Sequence, residues 1–327
     1  MTTRLGIDLG GTAIKLGIVD ESNRIIAREK VRTPEGFEQT ADAMASAAKR
    51  LIDKAGLDIL SLPFVGIGVP STVHPLTGRM VLANNKGWED APVREAVESR
   101  LGLPVLVAND ADCALSGEAA MGAAVNIKNV LLLTLGTGVG GAMLMDGQIY
   151  AGADGMGMEV GHTPLIAGGR LCTCGAKGCL EASVSATGLI ALTEEIIGIS
   201  DHSLMHQYVL EHDGHIGGRT AFACAAQGDV SALAVVSEYC SLLAQGIGGL
   251  VNIFRPQMVI IGGGVSHEGD KLLHRVREMI PKFILAYEII GGPEIRLAQL
   301  GNDAGVIGAA HLDKVLHMMG RTIEISS

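Results

Sequence analysis

The chain has 327 residues, of which 48% are hydrophobic and 18% charged, and this apolar content supports a sizeable core and excludes intrinsic disorder. The formal net charge of −10 disfavours a duplex DNA binder, because neutralising phosphates supplies most of that affinity. Glycine, with 45 residues, is about twice as frequent as the usual ~7%, which indicates turns or loops that approach a ligand closely.

Short strands and helices alternate along the chain. Strands are predicted at residues 4–9, 14–19, 25–31, 64–69, 105–107, 130–135, 142–145, 258–261 and 295–298. Helices are predicted at residues 39–55, 93–101, 111–121, 232–254, 271–283 and 305–316, and the polar segment 199–218 is predicted to be a solvated loop or helix end. This alternation indicates the α/β class.

Two segments of the chain share one layout. Residues 8–21 and residues 135–147 each predict a strand, a small turn of Gly and Thr, a second strand and an acidic turn. The repeat predicts two related α/β halves, and the length, at ~150 residues per domain, also predicts about two domains.

The sequence has neither a long unbroken apolar segment nor a signal-peptide core at its N-terminus. We therefore expect a cytoplasmic protein with no membrane partner and, given its charge, no nucleic-acid partner.

The glycines of the repeat predict phosphate-binding turns. The spacing Gly136-x-Gly138-x-x-Gly141 matches the dinucleotide fingerprint, but that fingerprint needs a following helix and a strand is predicted here. Successive N–H groups in a tight hairpin can still form an anion site, to which Thr12 and Thr137 would add hydroxyl donors. Asp8, just before the first turn, could orient Mg²⁺ through water. The alternative is that both turns are ordinary hairpins.

Asp110 is the candidate general base. It ends a short buried strand just before a helix, where a carboxylate can take the proton of a substrate hydroxyl. The alternative is that Asp110 only caps the helix, although Asp112 could be the cap instead.

A cluster of three thiols and one imidazole predicts a metal site, formed by His162, Cys172, Cys174 and Cys179. Four such ligands make a closed tetrahedral set, which is the usual arrangement of structural Zn²⁺. Glu159 and Glu181 flank these ligands and would present acceptors to a polyhydroxylated molecule. The alternative is a set of reduced thiols without metal.

Taken together, these motifs resemble the ROK family of sugar kinases and repressors over nearly the full chain. The segments that carry the resemblance are DLGGT (8–12), LGTGVGG (135–141), EVGH (159–162), CTCGAKGCLE (172–181), IIGGG (260–264) and NDAGVIGAA (302–310). The cysteine segment is the most specific of them.

The resemblance implies an actin-like, RNase H-like duplicated fold of two domains with a cleft between them. The expected domains are residues 1–112 with 304–327, and residues 113–303. The implied activity is MgATP-dependent phosphorylation of a hexose, with glucose converted to glucose 6-phosphate as the first expectation, and the implied assembly is a homodimer.

The resemblance also assigns roles to residues. Asp110 is the implied base. The implied sugar contacts are Asn84, Asn85, Asn109, Glu159, His162 and Glu181. The implied contacts to the nucleotide and its magnesium are Asp8, Gly10, Gly11, Thr12, Lys15, Gly136, Thr137, Gly138, Gly263 and Gly264. The implied zinc ligands are His162, Cys172, Cys174 and Cys179.

The chain departs from the family pattern at Ser71, where Gly is frequent, and at Ala13, where Lys is frequent and whose charge Lys15 would replace. Ser71 is expected near the sugar, so the identity of the hexose stays open. The alternative activity is that of an N-acetylmannosamine or N-acetylglucosamine kinase. A sugar-responsive repressor is disfavoured, since such proteins carry a helix-turn-helix ahead of the first motif, and Asp8 leaves no room for one.

Overall fold

The computed structural model describes residues 3–83 and 87–314 of the chain. The strands, in chain order, are β1 (Arg4–Leu9), β2 (Ala13–Val19), β3 (Ile25–Arg32), β4 (Val65–Val69), β5 (Thr72–His74), β6 (Arg79–Ala83), β7 (Trp88–Ala91), β8 (Val105–Asn109), β9 (Val130–Leu135), β10 (Val139–Met145), β11 (Gln148–Ile149), β12 (Met258–Gly262) and β13 (Glu294–Leu297).

The helices, in chain order, are α1 (Phe37–Lys54), α2 (Val93–Leu101), α3 (Asp110–Met121), α4 (Leu180–Val184), α5 (Ala186–Ile197), α6 (Leu204–Glu211), α7 (Thr220–Ala225), α8 (Val230–Phe254), α9 (Asp270–Met279), α10 (Tyr287–Ile290) and α11 (Ala304–Ala309). Short 3-10 turns cover Ile59–Ser61, Val160–His162, Gly264–Glu268, Ile280–Phe283 and Gly301–Asp303.

Two five-stranded sheets have the same topology. Their strand orders are β3-β2-β1-β4-β8 and β11-β10-β9-β12-β13, which become 3-2-1-4-5 in both when each sheet is numbered from its own first strand. In the first sheet β1 is antiparallel to β2 and parallel to β4, which is parallel to β8. In the second, β10 is antiparallel to β11 and β12 is parallel to β13. The predicted internal repeat is confirmed.

The chain divides into two compact units. The first unit comprises Met1–Val130, Ala142–Met158 and Ala298–Ser327, and the second comprises Leu131–Gly141 and Glu159–Leu297. The first contains the β3-β2-β1-β4-β8 sheet and a small antiparallel sheet of order β5-β6-β7.

The core of the first unit lies between its large sheet and helices α1 and α2. The apolar residues of α1 recur at helical spacing, and Met44, Ala48, Leu51 and Ile52 are buried against the sheet. Strand β4 is buried along its whole length, as expected for a strand between two parallel neighbours.

Helix α11 contacts β1, β4 and α3 backbone to backbone. A Cβ atom on the facing glycines would lie under 3.0 Å from a main-chain carbonyl oxygen. The glycines are Gly6 in β1 (against Val306), Gly66 in β4 (against Ala309), Gly117 in α3 (against Ala304) and Gly308 in α11 itself (against Cys113). Only glycine permits contacts this close, so these positions fix how α11 sits in the first unit.

The second unit is built around α8. Its buried Tyr239 donates a hydrogen bond of 2.7 Å to the carbonyl of Val184 and meets the ring of Phe222 edge to face, with centroids 6.4 Å apart. Among the described residues α8 is the one helix long and apolar enough to cross a membrane. However, 56% of its apolar 18-residue stretch is buried inside the structure, as in a core helix.

Three predicted elements differ from the structure in informative ways. The helix predicted at 271–283 ends at Met279 and continues as a 3-10 turn, because Pro281 has no amide hydrogen for the helical ladder. The strand predicted from residue 142 begins at Val139, so the second glycine turn is only residues 136–138 and a strand follows it. The polar segment 199–218 contains the short helix α6.

Because α11 packs so closely against its neighbours, adding a single methyl group at this contact is expected to destabilise the fold. In Gly308→Ala the new methyl meets the Cys113 carbonyl, and we expect overpacking to lower the free energy of unfolding by about 1–3 kcal/mol. The matched control is Gly249→Ala, an exposed glycine in α8 with nothing within 4 Å of the added carbon, where Ala should stabilise by about 0.5–1 kcal/mol. Urea denaturation measures both, and equal stability of Gly308→Ala and the wild type would contradict the packing.

Candidate active site

The first glycine turn joins β1 to β2 and is held by a residue that follows β3. Within the turn, the N–H of Gly10 donates to the carbonyl of Ala13 at 3.0 Å. Thr33 donates its hydroxyl to the carbonyl of Gly10 at 2.8 Å and its N–H to the carbonyl of Thr12 at 3.0 Å. The turn is therefore fixed from two sides, as a preformed anion site requires.

Asp8 and Lys15 face each other across the β1–β2 pair. The Lys15 ammonium lies 3.1 Å from Asp8 Oδ2 and donates to Asn302 Oδ1 at 3.3 Å. Gly305 lies beside the Asp8 carboxyl, where a Cβ would come within 3.2 Å of its Cγ. A carboxylate and an ammonium thus stand together next to the first glycine turn.

Asp110 lies at the same edge of the sheet as Asp8. The pairing register places Asp8 opposite Gly68 and Gly68 opposite Ala108, two residues before Asp110. The carboxyl ends of the parallel strands β1, β4 and β8 meet at this edge, which is where α/β sheets bind ligands.

Asn109, rather than either aspartate, caps α3. Its Oδ1 accepts from the N–H of Ala111 at 2.8 Å, and its Nδ2 donates to the carbonyl of Ser71 at 3.2 Å. The alternatives in which Asp110 or Asp112 provides the cap are wrong. Both carboxylates lie in the first turn of α3, near the positive end of the helix dipole.

Cys113 lies behind these carboxylates. Its thiol is fully buried, and burial, followed by the charges of Asp112, Asp8 and Asp110, raises its pKa well above that of an exposed thiol. Cys113 is therefore an inert core residue.

The hairpin of β5 and β6 is tied to the capping residue. Ser71, whose carbonyl accepts from Asn109, donates its hydroxyl to the carbonyl of Leu82 in β6 at 2.5 Å. Asn84 and Asn85, which were predicted to contact sugar, follow β6 and lie outside the described residues.

In the second unit, the glycine turn at 136–138 receives contacts from α5. Its own closing bond runs from the N–H of Gly136 to the carbonyl of Gly138 at 3.0 Å. The N–H of Ala186 donates to the Gly136 carbonyl at 2.8 Å, and the Thr187 hydroxyl donates to the Thr137 carbonyl at 3.0 Å.

The remaining motifs of the second unit converge on the same turn. Gly161 lies against the carbonyl of Val139, and Gly263 lies against the backbone of Leu135, so closely that neither position has room for a side chain. The predicted phosphate turn, the Glu159–His162 segment and the Gly263–Gly264 segment are therefore brought together, which the sequence could only suggest.

The metal cluster has the geometry of a tetrahedral site. The ligand atoms of His162, Cys172, Cys174 and Cys179 all lie within 4.8 Å of one another. Cys174 Sγ and Cys179 Sγ are 3.7 Å apart, and Cys172 Sγ and His162 Nδ1 are 3.6 Å apart. A tetrahedral zinc with its usual bond lengths needs about 3.8 Å between two sulfurs and about 3.6 Å between sulfur and nitrogen. The residues fit a structural zinc ion.

The thiols of the cluster differ in acidity. The backbone N–H of Ala176 lowers the pKa of the exposed Cys174, whereas burial raises the pKa of Cys172 and raises that of Cys179 to about 12. A metal ion has to displace the protons of the two buried thiols, so its affinity will fall steeply as the pH is lowered.

Glu181 connects the metal cluster to the glycine turn. One carboxylate oxygen accepts from the Thr173 hydroxyl at 2.8 Å, and the other accepts from the N–H of Val139 at 3.0 Å. Of the other predicted sugar contacts in this unit, Glu159 is exposed and His162 is half-buried.

The comparisons with known proteins agree with this geometry. The model of the ROK family matches residues 4–315. The chain belongs to the ROK family. A glucokinase of Halalkalibacterium halodurans is 37% identical over 318 residues, covering 95% of this chain and 94% of that enzyme. An N-acetyl-D-glucosamine kinase of Pasteurella multocida is 32% identical over 321 residues, covering 94% of this chain and 98% of that enzyme.

A solved structure gives the same result for the fold. The crystal structure of a ROK family glucokinase from Streptomyces griseus in complex with glucose and AMPPNP matches with a TM-score of 0.83 at 34% identity, covering 95% of this chain and 98% of that one. The predicted actin-like α/β fold of this ROK protein is confirmed.

Two contacts of this ROK site were not predicted from the sequence. Thr33 and Thr187 hold the two glycine turns from neighbouring elements, at 2.8 Å and 3.0 Å. Thr187 follows Ser185, which caps α5, and a capping serine is a readable sequence signal. Thr33 has no such signal, because its role depends on the pairing of β2 with β3.

The cluster geometry predicts that removing one thiol removes the metal from this ROK protein. We expect wild-type protein to carry about one zinc ion per chain and Cys174→Ser to carry a small fraction of this, because three ligands no longer close the tetrahedron. Elemental analysis after purification measures the content. Cys224→Ser, which changes a buried thiol outside the cluster, should keep its zinc. Full zinc occupancy in Cys174→Ser would contradict the ligand assignment.

Proposed function

We propose that this protein transfers the γ-phosphate of MgATP to a hexose, with glucose as the preferred acceptor and glucose 6-phosphate as the product. Its family and its near full-length similarity to glucokinases make it a ROK sugar kinase. The observation that carries the proposal is that Asp110 lies at the same sheet edge as Asp8 and the first glycine turn. Asn109, the residue before it, caps α3.

Asp110 is the general base of the proposed reaction. Its carboxylate removes the proton of the sugar 6-hydroxyl as that oxygen attacks the γ-phosphorus, and the bond to the β,γ-bridging oxygen breaks to release ADP. The proton therefore goes to Asp110 and the leaving electron pair to ADP. Such a base contributes typically about 10²–10⁴-fold to the rate.

The phosphates are held by backbone N–H groups and by one lysine. The contacts we assign are Gly10, Gly11, Thr12 and Lys15 in the first unit, and Gly136, Thr137 and Gly138 in the second. Asp8 would hold the magnesium ion of MgATP through water, and that ion supplies charge neutralisation on the phosphates. We assign Gly263 and Gly264 to the adenosine, which a backbone without side chains can approach closely.

The sugar contacts we assign are Asn84, Asn85, Asn109, Glu159, His162 and Glu181. Protein contacts hold Asn109 and Glu181 in place: Asn109 caps α3, and Glu181 accepts from Thr173 and Val139. We infer that such residues meet the sugar with side chains held in one orientation, which favours selection among hydroxyl patterns. A structural zinc at the cluster would fix His162 and the loop that carries Glu181.

An N-acetylglucosamine or N-acetylmannosamine kinase is the second candidate, favoured by the similarity to the Pasteurella multocida enzyme. The homodimer, the cytoplasmic location and the domain boundaries at residues 112–113 and 303–304 also stay predictions.

A substrate panel tests the proposed function. Zinc-loaded protein is given MgATP and, separately, glucose, mannose, fructose, allose, N-acetylglucosamine or N-acetylmannosamine, and ADP release is followed. We expect the highest kcat/KM with glucose. A preference for an acetamido sugar would be consistent with the proposed mechanism but would change the assigned substrate. No turnover with any of the sugars would contradict the proposal.

Removing the base separates catalysis from binding. In Asp110→Asn we expect kcat to fall by about 10²–10⁴-fold, because the amide cannot accept the proton, while the glucose Kd from calorimetry changes little. The matched control is Asp112→Asn, a half-buried aspartate of the same helical turn, which should keep kcat near the wild-type value. Wild-type turnover in Asp110→Asn would show that another group is the base.

A further inference from the structure

A fully buried carboxylate lies near the C-terminal end of α3, the helix that begins with Asp110. Glu118 has no exposed surface. Its Oε2 accepts from the N–H of Ala123 at 2.7 Å, and its Oε1 accepts from the N–H groups of Gln299 and Leu300, both at 2.9 Å. The carboxylate thus joins the end of α3 to a chain segment about 180 positions later in the sequence.

These three partners require a carboxylate. Each of its two oxygens accepts at least one main-chain N–H, so the group must offer an acceptor at both positions. A glutamine of the same shape has one acceptor oxygen, and its amide N–H₂ would face at least one of these donors. A buried donor without an acceptor is strongly unfavourable, so the substitution is expected to loosen this contact.

The segment that Glu118 holds leads directly to the phosphate side of the site. Gln299 and Leu300 precede the 3-10 turn Gly301–Asp303. In that turn Asn302 accepts from the Lys15 ammonium, which also lies 3.1 Å from Asp8. The last residue of the same turn, Asp303, forms an ion pair with Arg28 of β3.

We propose that Glu118 is a positioning residue, which holds the turn before α11 so that Asn302 keeps Lys15 beside Asp8. Glu118 touches neither Lys15 nor Asp8 and acts through Gln299, Leu300 and Asn302. The catalytic role of this arrangement rests on the proposed function, in which Asp8 and Lys15 serve the phosphates, whereas the arrangement itself does not.

A carboxylate can also accept main-chain N–H groups merely to stabilise the fold, and the second unit provides the matched case. Asp229 is buried and accepts from the N–H groups of Leu204 and Ala232, at 2.6 Å and 2.7 Å. It resembles Glu118 in burial and partners, but the residues it holds carry no predicted site residue. Asp229→Asn therefore reports the stability effect alone.

The test compares Glu118→Gln, Asn302→Ala and Asp229→Asn in the full-length zinc-loaded protein. The first readout is the rate at which an acetylating reagent modifies Lys15 in the native protein, followed by peptide mass spectrometry. A Lys15 side chain released from its contacts with Asn302 and Asp8 is more exposed to the reagent, so we expect a several-fold faster reaction in Glu118→Gln and Asn302→Ala. Asp229→Asn should lower the Tm and leave the Lys15 rate unchanged.

The second readout is kinetic. In Glu118→Gln we expect a several-fold higher KM for MgATP and an unchanged KM for glucose, and combining it with Asn302→Ala should add little, because both changes act on one contact. A lower Tm in Glu118→Gln with Lys15 reactivity and KM for MgATP both unchanged would overturn the positioning role. Should the wild type phosphorylate no sugar, the proposed function fails, and the Lys15 rate alone still decides whether Glu118 holds this contact.

Discussion

The first unit depends on the contact of α11 with the main chains of β1, β4 and α3. Gly6, Gly66, Gly117 and Gly308 leave no side-chain layer between these elements, so their relative positions are set by backbone atoms that cannot change rotamer. Asp8 is at the end of β1 and Asp110 at the start of α3, and both elements contact the same short helix. The packing of the core thereby sets the spacing between Asp8, which we assign to the phosphate side, and Asp110, the proposed base.

The second unit positions its glycine turn by other contacts. Its glycine turn is held by α5, by Gly161 and by Glu181, and Glu181 is in turn bound to the loop of the metal cluster. A structural zinc contributes on the order of 10–16 kcal/mol of binding free energy in zinc-finger peptides. The metal would therefore order a loop that has little apolar core of its own. Because Glu181 binds both this loop and Val139, the metal would also stabilise the turn assigned to phosphate.

The sequence was most informative where its signals are local. Strands, glycine turns and the Cys/His cluster were predicted because alternation, turn residues and ligand spacing are short-range patterns, and the repeat of residues 8–21 in 135–147 anticipated the common strand order of both sheets. The small sheet β5-β6-β7 and helices α4 to α7 were not predicted. The role of Glu118 had no signal either, since its partners Gln299 and Leu300 are distant in sequence, and the choice of Asn109 over Asp110 as the cap depended on φ/ψ at the helix start.

The most direct test is a crystal structure of the zinc-loaded protein with glucose and a non-hydrolysable analogue of MgATP. The predicted result is an Asp110 carboxylate oxygen within hydrogen-bonding distance, about 2.6–3.2 Å, of the glucose 6-hydroxyl, with that oxygen facing the γ-phosphate. The terminal phosphates should contact the turns at residues 10–12 and 136–138. A glucose whose 6-hydroxyl lies away from Asp110, or phosphates bound away from both turns, would contradict the proposed mechanism.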